Sequence, residues 1–192
     1  MLQNFRMMHQ QSDEDLMQAL GQGDEVALQT LVDRHTPSIY TFSVRFTGDE
    51  SLAQDVCQEV FLRLYRNARR YVAGMPFRTW LFTIVRNTSI DLARSYTYRK
   101  AYSLDDDAQE TEKRPLLDPS PGPEERYLSK ESTQKVAEAV RSLPEKQRTV
   151  VILRYYEEMS AREIAGIMRS TVSSVESLLV RAKHNLVKLL KV

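Results

Sequence analysis

Residues 160–192, SAREIAGIMRSTVSSVESLLVRAKHNLVKLLKV, leave the chain few choices of fold. Ser160 followed three positions later by Glu163 is a capping-box pair, which predicts a helix starting at Ala161. That helix is short and ends near Met168. Thr171 is a second N-cap. After it, Val172, Val175, Leu179, Ala182, Leu186 and Leu189 recur in steps of three and four, the apolar stripe of a longer helix. A short helix, a tight turn and a longer amphipathic helix make a helix-turn-helix. Small Ala165 lets the two helices approach, and Val175 locks the second onto the first. Ser173, Ser174, Ser177, Leu178 and Arg181 then face outward, with Thr171, at the end that would enter a major groove. A ligand-free helical hairpin in an all-α core fits this stretch too, so the rest of the chain must decide.

Charge is the next constraint. The 192 residues carry a net charge of only +1, but unevenly. Residues 62–102 hold nine basic side chains against one acid, whereas residues 1–61 hold three against ten. So concentrated a cationic segment is a candidate phosphate-binding surface. No stretch approaches the ~20 apolar residues of a membrane span, and the N-terminus has no apolar signal core. A cytoplasmic protein without membrane insertion is expected. Cys57, the only cysteine, has no partner for an internal disulfide and falls on the apolar side of a predicted helix, as a small core residue. His9, His35 and His184 lack ligand spacing, so no metal site is expected.

Capping signals and periodicity place a succession of helices along the first hundred residues. Asp13 to Leu20 reads as a short helix after Ser12, and Asp24 caps another through Val32. Thr36-Pro37 looks like the start of a third, running to Phe46. Asp49 caps a long fourth helix to about Arg70. Its core stripe is Ala53, Val56, Cys57, Val60, Phe61 and Leu64, and Asp55, Gln58, Glu59 and Leu62 lie opposite. Tyr71 to Pro76 is a loop. A fifth helix, Phe77 to about Tyr98, turns Leu81, Ile84, Val85, Thr88 and Leu92 inward. Trp80, Asn87 and Arg94, seven apart, share one side with Asp91 beside them. An aromatic, an amide and a cation on a basic helix suit unstacked bases. A Trp80 packed in the core and a buried Asn87–Asp91 network is the other reading.

Residues 103–123 are acidic, hold four of the seven prolines and show no period, the signature of a linker. Beyond it come a helix from Glu124 to Leu143, a break at Pro144, another helix, and the helix-turn-helix. The expected architecture is all-α: two helical domains, 12–100 and 124–192, joined by a flexible linker, 101–123. Residues 1–11, without cap or period, are expected to lack order. No phosphate loop, Gly-x-Ser-x-Gly or His-Glu-x-x-His motif occurs. The adjacent acids Glu157 and Glu158 point to different sides of a helix. Neither an enzyme nor a cofactor is expected.

Four stretches, DVCQEVFLRLY (55–65), FRTWLFTIVRNTSIDLAR (77–94), LPEKQRTVVILRYYEEMSAREIA (143–165) and VESLLVRAKHNL (175–186), together resemble a bacterial RNA polymerase sigma factor of the extracytoplasmic-function class. Their order and the linker between the second and third carry the likeness. The resemblance implies a transcription initiation factor that binds core RNA polymerase and promoter DNA and is regulated by an anti-sigma factor. Polymerase would be met by Asp55, Gln58, Glu59 and Leu62. The minus-ten element would be melted and held by Arg78, Trp80, Asn87, Asp91 and Arg94 with the loop before them. Duplex at the minus-thirty-five element would be read by Thr171, Ser173, Ser174, Ser177, Leu178 and Arg181. Arg169 stands where many such turns have glycine, and arginine is disfavoured at positive φ, so a different turn is expected. A free-standing regulator and a protein-binding scaffold are the rival readings; neither gives the 55–65 face and the 77–94 helix a joint role.

Overall fold

The computed structural model describes residues 11–71, 74, 76–102 and 123–190. Eight α-helices and one 3₁₀ turn account for their regular structure: α1 (Asp13–Gly21), α2 (Glu25–Thr47), α3 (Glu50–Asn67), the 3₁₀ turn (Ala68–Arg70), α4 (Phe77–Tyr102), α5 (Pro123–Arg141), α6 (Glu145–Tyr155), α7 (Ala161–Met168) and α8 (Val172–Leu190). Helices α1 to α4 form one bundle and α5 to α8 a second. Helix α4 runs on to Tyr102 and α5 starts at Pro123, so both reach into the stretch expected as linker. Residues 103–122, residues 1–10, and Val72, Ala73 and Met75 of the expected loop lie outside the described residues.

Local rules explain most helix starts. The Ser12 and Asp24 side chains accept from the Asp15 and Val26 N–H groups, and Asp49 accepts from that of Leu52. Each satisfies a donor that the first turn leaves unpaired. The expected break at Pro37 is corrected: α2 is continuous from Glu25 to Thr47 with Pro37 inside it. Thr36 does not cap; its hydroxyl donates to the Val32 carbonyl at 2.6 Å. An interior proline costs a helix roughly 3 kcal/mol. The stripe on either side of it, Leu31 before and Ile39, Phe42 and Phe46 after, is buried. Burial of such a side chain contributes about 1.5–3 kcal/mol, so the packed helix outweighs its own local defect.

The first core holds Leu16, Leu31, Phe42, Val56, Val60, Leu64 and Phe82, with Phe42 stacked on Phe46 and meeting Phe82 edge-on. Cys57 belongs to it as expected. Burial pushes its thiol up to about 11, so the sulfur stays protonated and inert. Three long-range contacts tie α1 to the bundle. Asp13 takes an Arg34 guanidinium at 2.7 Å and the His35 ring at 2.9 Å. Glu14 accepts the Phe77 backbone N–H at 2.8 Å, capping α4 from 63 residues away. The second core is built on Val140, Leu143, Val150 to Leu153, Met159, Ile164, Ile167, Val175 and Ala182.

Candidate nucleic-acid interface

The helix-turn-helix forms as the capping box dictates. The Ser160 hydroxyl accepts from the Glu163 N–H, and the Glu163 carboxylate accepts from the Ser160 N–H at 2.8 Å. The hydrogen bonds from Ser160 hold the Glu163 carboxyl below its ordinary value. The expectation of a different turn is corrected. Arg169 takes the left-handed conformation itself, at φ 49 and ψ 50. The Ser170 N–H reaches the Ala165 carbonyl and the Arg169 N–H that of Gly166, the two bonds of a Schellman motif. Two satisfied carbonyls hold arginine where glycine would be easier.

Helix α8 then starts with Thr171 accepting from the Ser174 N–H at 3.2 Å. Val175 and Ala182 are fully buried against the rest of the domain. Thr171, Ser173, Ser174, Ser177 and Arg181 are exposed along one flank. Leu178 is half-buried and packs on the core, and Arg181 donates to its own Ser177 carbonyl. Val172 and Leu189, expected in the apolar stripe, are exposed at 39% and 48%, so the stripe narrows at both ends of the helix.

The basic helix α4 is fixed on its inner side by Phe77, Leu81, Phe82, Val85, Thr88, Ser89 and Ile90. Asn87, Asp91 and Arg94 are exposed along its outer side. The buried Asn87–Asp91 network is therefore not formed; Asn87 instead accepts from Arg86 at 2.9 Å. Trp80 is half-buried, its ring meeting Tyr71 edge-on at 5.4 Å and Phe77 at 6.1 Å. Held by these two rings and still partly exposed, the indole suits a stacking platform. On the adjacent α3, Asp55, Gln58 and Leu62 are exposed. Glu59 accepts from Arg63 at 2.7 Å, and Arg63 also faces Asp91 of α4 at 3.8 Å. Arg66, Arg69 and Arg70 extend the cationic surface at the end of α3.

Three arginines of α4 face carboxylates of the second domain. Arg78 donates to the Glu157 carbonyl and lies 3.5 Å from its carboxylate. Arg94 and Arg86 approach the Glu145 carboxylate at 3.0 and 3.7 Å. Glu157 and Glu158, expected on a helix, lie past the end of α6 at Tyr155, with Glu158 at φ 54. Glu157 is only 4% exposed; burial pushes its carboxyl up, against the opposing pull of Arg78, Ser38 and Arg45. Nearby, Arg148 donates to the Phe46 carbonyl at 2.6 Å, and Arg45 stacks on Tyr156 at 4.0 Å. Sequence reading missed Glu14, Glu145 and Glu157. Their partners lie tens of residues away, and no local pattern marks them.

An arginine-rich helix with an amide and a partly exposed indole, beside a separate helix-turn-helix presenting hydroxyls, is the make-up of the helical nucleic-acid-binding proteins. Comparison with known proteins narrows the class. The family model Sigma-70 region 2 matches residues 31–111 and the model Sigma-70, region 4 matches residues 133–186. The chain is 32% identical over 187 residues to the RNA polymerase sigma-H factor of Pseudomonas aeruginosa, covering 96% of this chain and 97% of that one. It is 34% identical over 186 residues to the ECF RNA polymerase sigma-E factor of Escherichia coli (strain K12), covering 93% and 94%. Among solved structures, the fold resembles CnrH in complex with the cytosolic domain of CnrY, with TM-score 0.70, 24% identity and coverage of 93% and 97%. It also resembles the sigma factor RpoE in complex with the anti-sigma factor NepR from Bartonella quintana, with TM-score 0.67, 21% identity and coverage of 85% and 96%. The chain belongs to the extracytoplasmic-function sigma factors of bacterial RNA polymerase. It is a transcription initiation factor that directs core polymerase to promoters, and it is not an enzyme. Among the described residues no helix is long and apolar enough to cross a membrane.

Proposed function

We propose that the two bundles divide the work of initiation between them, with the residue roles that follow. The observation that carries this reading is the pairing of two exposed faces in one bundle. Asp55, Gln58 and Leu62 stand on α3, and Asn87, Asp91 and Arg94, with Trp80 at their head, stand on α4. The α3 face, with Glu59, docks on core polymerase. Leu62, 49% exposed on that face, is its apolar anchor. The α4 face, with Arg78, takes the minus-ten strand: Trp80 stacks on an unpaired base, Asn87 and Asp91 address base edges, and the arginines hold phosphates. Melting costs about 1.4 kcal/mol per base-pair step. Stacking returns ~1–3 kcal/mol per captured base. A few captured bases cannot open a whole element, so polymerase contacts supply the remainder.

The second bundle reads the minus-thirty-five element as duplex through Thr171, Ser173, Ser174, Ser177 and Arg181, with Leu178 setting the depth of α8. Hydroxyls discriminate bases less sharply than bidentate arginine, so groove shape carries part of this readout. The protein acts in the cytoplasm and is regulated by an anti-sigma factor; its structural neighbour RpoE of Bartonella quintana forms a complex with the anti-sigma factor NepR. The test is reconstitution with core polymerase that lacks its own sigma subunit. Gln58→Ala with Leu62→Ala is expected to weaken co-purification at least tenfold. Trp80→Ala is expected to leave polymerase binding intact and abolish strand opening, read by permanganate reactivity of minus-ten thymines. Opening that survives Trp80→Ala together with Asn87→Ala would refute the assignment of α4.

A further inference from the structure

We propose that Glu14 is a positioning residue for strand capture: from α1 it caps the first turn of α4 and so fixes the Trp80 indole that the strand would meet. The inference rests on the assignment of α4 above and adds to it the residue that sets its leading turn.

Three observations converge. The first is a missing local cap. Helix α4 follows Gly74, Met75 and Pro76, none of which carries a side-chain oxygen. A helix leaves its first four N–H groups unpaired, and a Ser, Thr, Asp or Asn at the N-cap satisfies one of them. Helices α1, α2, α3 and α7 have such a residue. Helix α4 instead uses Glu14, whose carboxylate accepts the Phe77 N–H at 2.8 Å. Its negative charge also lies at the positive end of the α4 dipole. Trp80 belongs to the same turn, and its N–H donates to the Pro76 carbonyl at 3.1 Å. The order of this turn, and with it the place of the indole, depends on a carboxylate 63 residues away.

The second is that Glu14 is itself firmly seated. Leu16, Met17 and Leu20 of α1 are buried in the first core. Asp13 ties the start of α1 to Arg34 and His35 of α2. The His35 ring lies against Phe77, with centroids 5.1 Å apart. Phe77 is buried and meets Trp80 at 6.1 Å and Tyr71 at 6.3 Å. Packed rings thus run from the α1–α2 ion pairs to the indole.

The third is that the other end of α1 braces the chain just before Tyr71. Gly21 packs on the 3₁₀ turn there; a Cβ added to it would lie 3.2 Å from the Ala68 carbonyl oxygen and 3.6 Å from Arg69 Cα. One short helix therefore holds the chain on both sides of positions 71–76. Base stacking requires the aromatic face in one orientation. An unbraced turn would spread the indole over several, and the captured base would have to order it, at a cost in affinity.

The experiment uses the full chain with core polymerase, and Trp80, the only tryptophan, is its own probe. A hydrogen bond to a charged group is worth roughly ten- to a hundredfold in an equilibrium. Glu14→Leu should therefore lower strand opening, read by permanganate reactivity of minus-ten thymines, by about tenfold. It should also shift the Trp80 emission to the red and raise its quenching by acrylamide, while co-purification with polymerase stays unchanged. Glu14→Gln keeps an amide oxygen at the same reach and should recover most of the opening. Pro76→Ser in the Glu14→Leu background supplies a local cap and should recover it too, which separates loss of the cap from general loss of fold. Unchanged Trp80 fluorescence in Glu14→Leu, loss of co-purification in step with opening, or no recovery by either rescue would overturn the positioning role. A fluorescence shift with opening intact would instead sink the assignment of Trp80 to the minus-ten strand, and the part of Glu14 in opening with it.

Discussion

The backbone of Arg169 allows a test in which the expected gain in stability comes from conformation alone. Arg169 sits at φ 49 and ψ 50, closing α7 and setting the angle at which α8 leaves. The left-handed region costs a residue with a Cβ about 1–2 kcal/mol. Arg169→Gly removes that penalty and adds about 0.5–1 kcal/mol of chain entropy to the unfolded state. The difference is a net stabilisation of about 0.5–1 kcal/mol. In a chain of this size that is a rise in Tm of roughly 1–4 °C. The Schellman bonds from Arg169 and Ser170 to Gly166 and Ala165 are backbone bonds and survive the change. Arg169→Ala is the decisive control: it removes the same charge but keeps the Cβ, so it should gain almost nothing. The assay is urea unfolding of the full chain followed by circular dichroism, with thermal melts beside it. Equal stabilisation by glycine and alanine would mean that charge, not backbone, is responsible. Loss of stability with glycine would mean that the arginine side chain holds the turn. Either result refutes the reasoning.

Gly48 is the converse case. It closes α2 at φ 77, and a Cβ there would lie 2.6 Å from Arg141 Cδ, so Gly48→Ala should destabilise by about 1–2 kcal/mol in urea unfolding. Cys57, with its thiol pushed up to about 11 and its side chain in the core, should ignore a disulfide reagent at pH 8 and react at once in denaturant. Burial pushes the Asp13 carboxyl up, but the bonds from His35 and Arg34 outweigh it and hold it below its ordinary value. A carboxyl depressed by folding contributes stability above its unfolded pKa of about 3.9, and that stability is lost as pH falls through the folded value. Asp13→Asn should therefore lower Tm at pH 7 and flatten the acid limb of Tm against pH below about 4. Ser160→Ala, which removes half of the capping box, should lose about 1 kcal/mol of stability in urea.

What could be read along the chain is what short-range physics decides. The capping box at Ser160 and Glu163, the caps at Asp24 and Asp49, and the inward stripe of α3 each depend on residues within a turn or two of one another. The cationic segment and the outer line of Asn87, Asp91 and Arg94 follow from helical spacing in the same way. Tertiary structure overruled the local signal at Pro37, where buried residues on both sides carry the helix through. It also kept the left-handed turn at Arg169, where the expectation from one residue's preference was a different turn. Above all, it brought Glu14 to the start of α4 and Glu145 and Glu157 onto its arginines. Those pairings join residues 51 to 79 positions apart. A carboxylate carries no mark of which distant cation it will meet; that depends on how two separately folded bundles settle against each other.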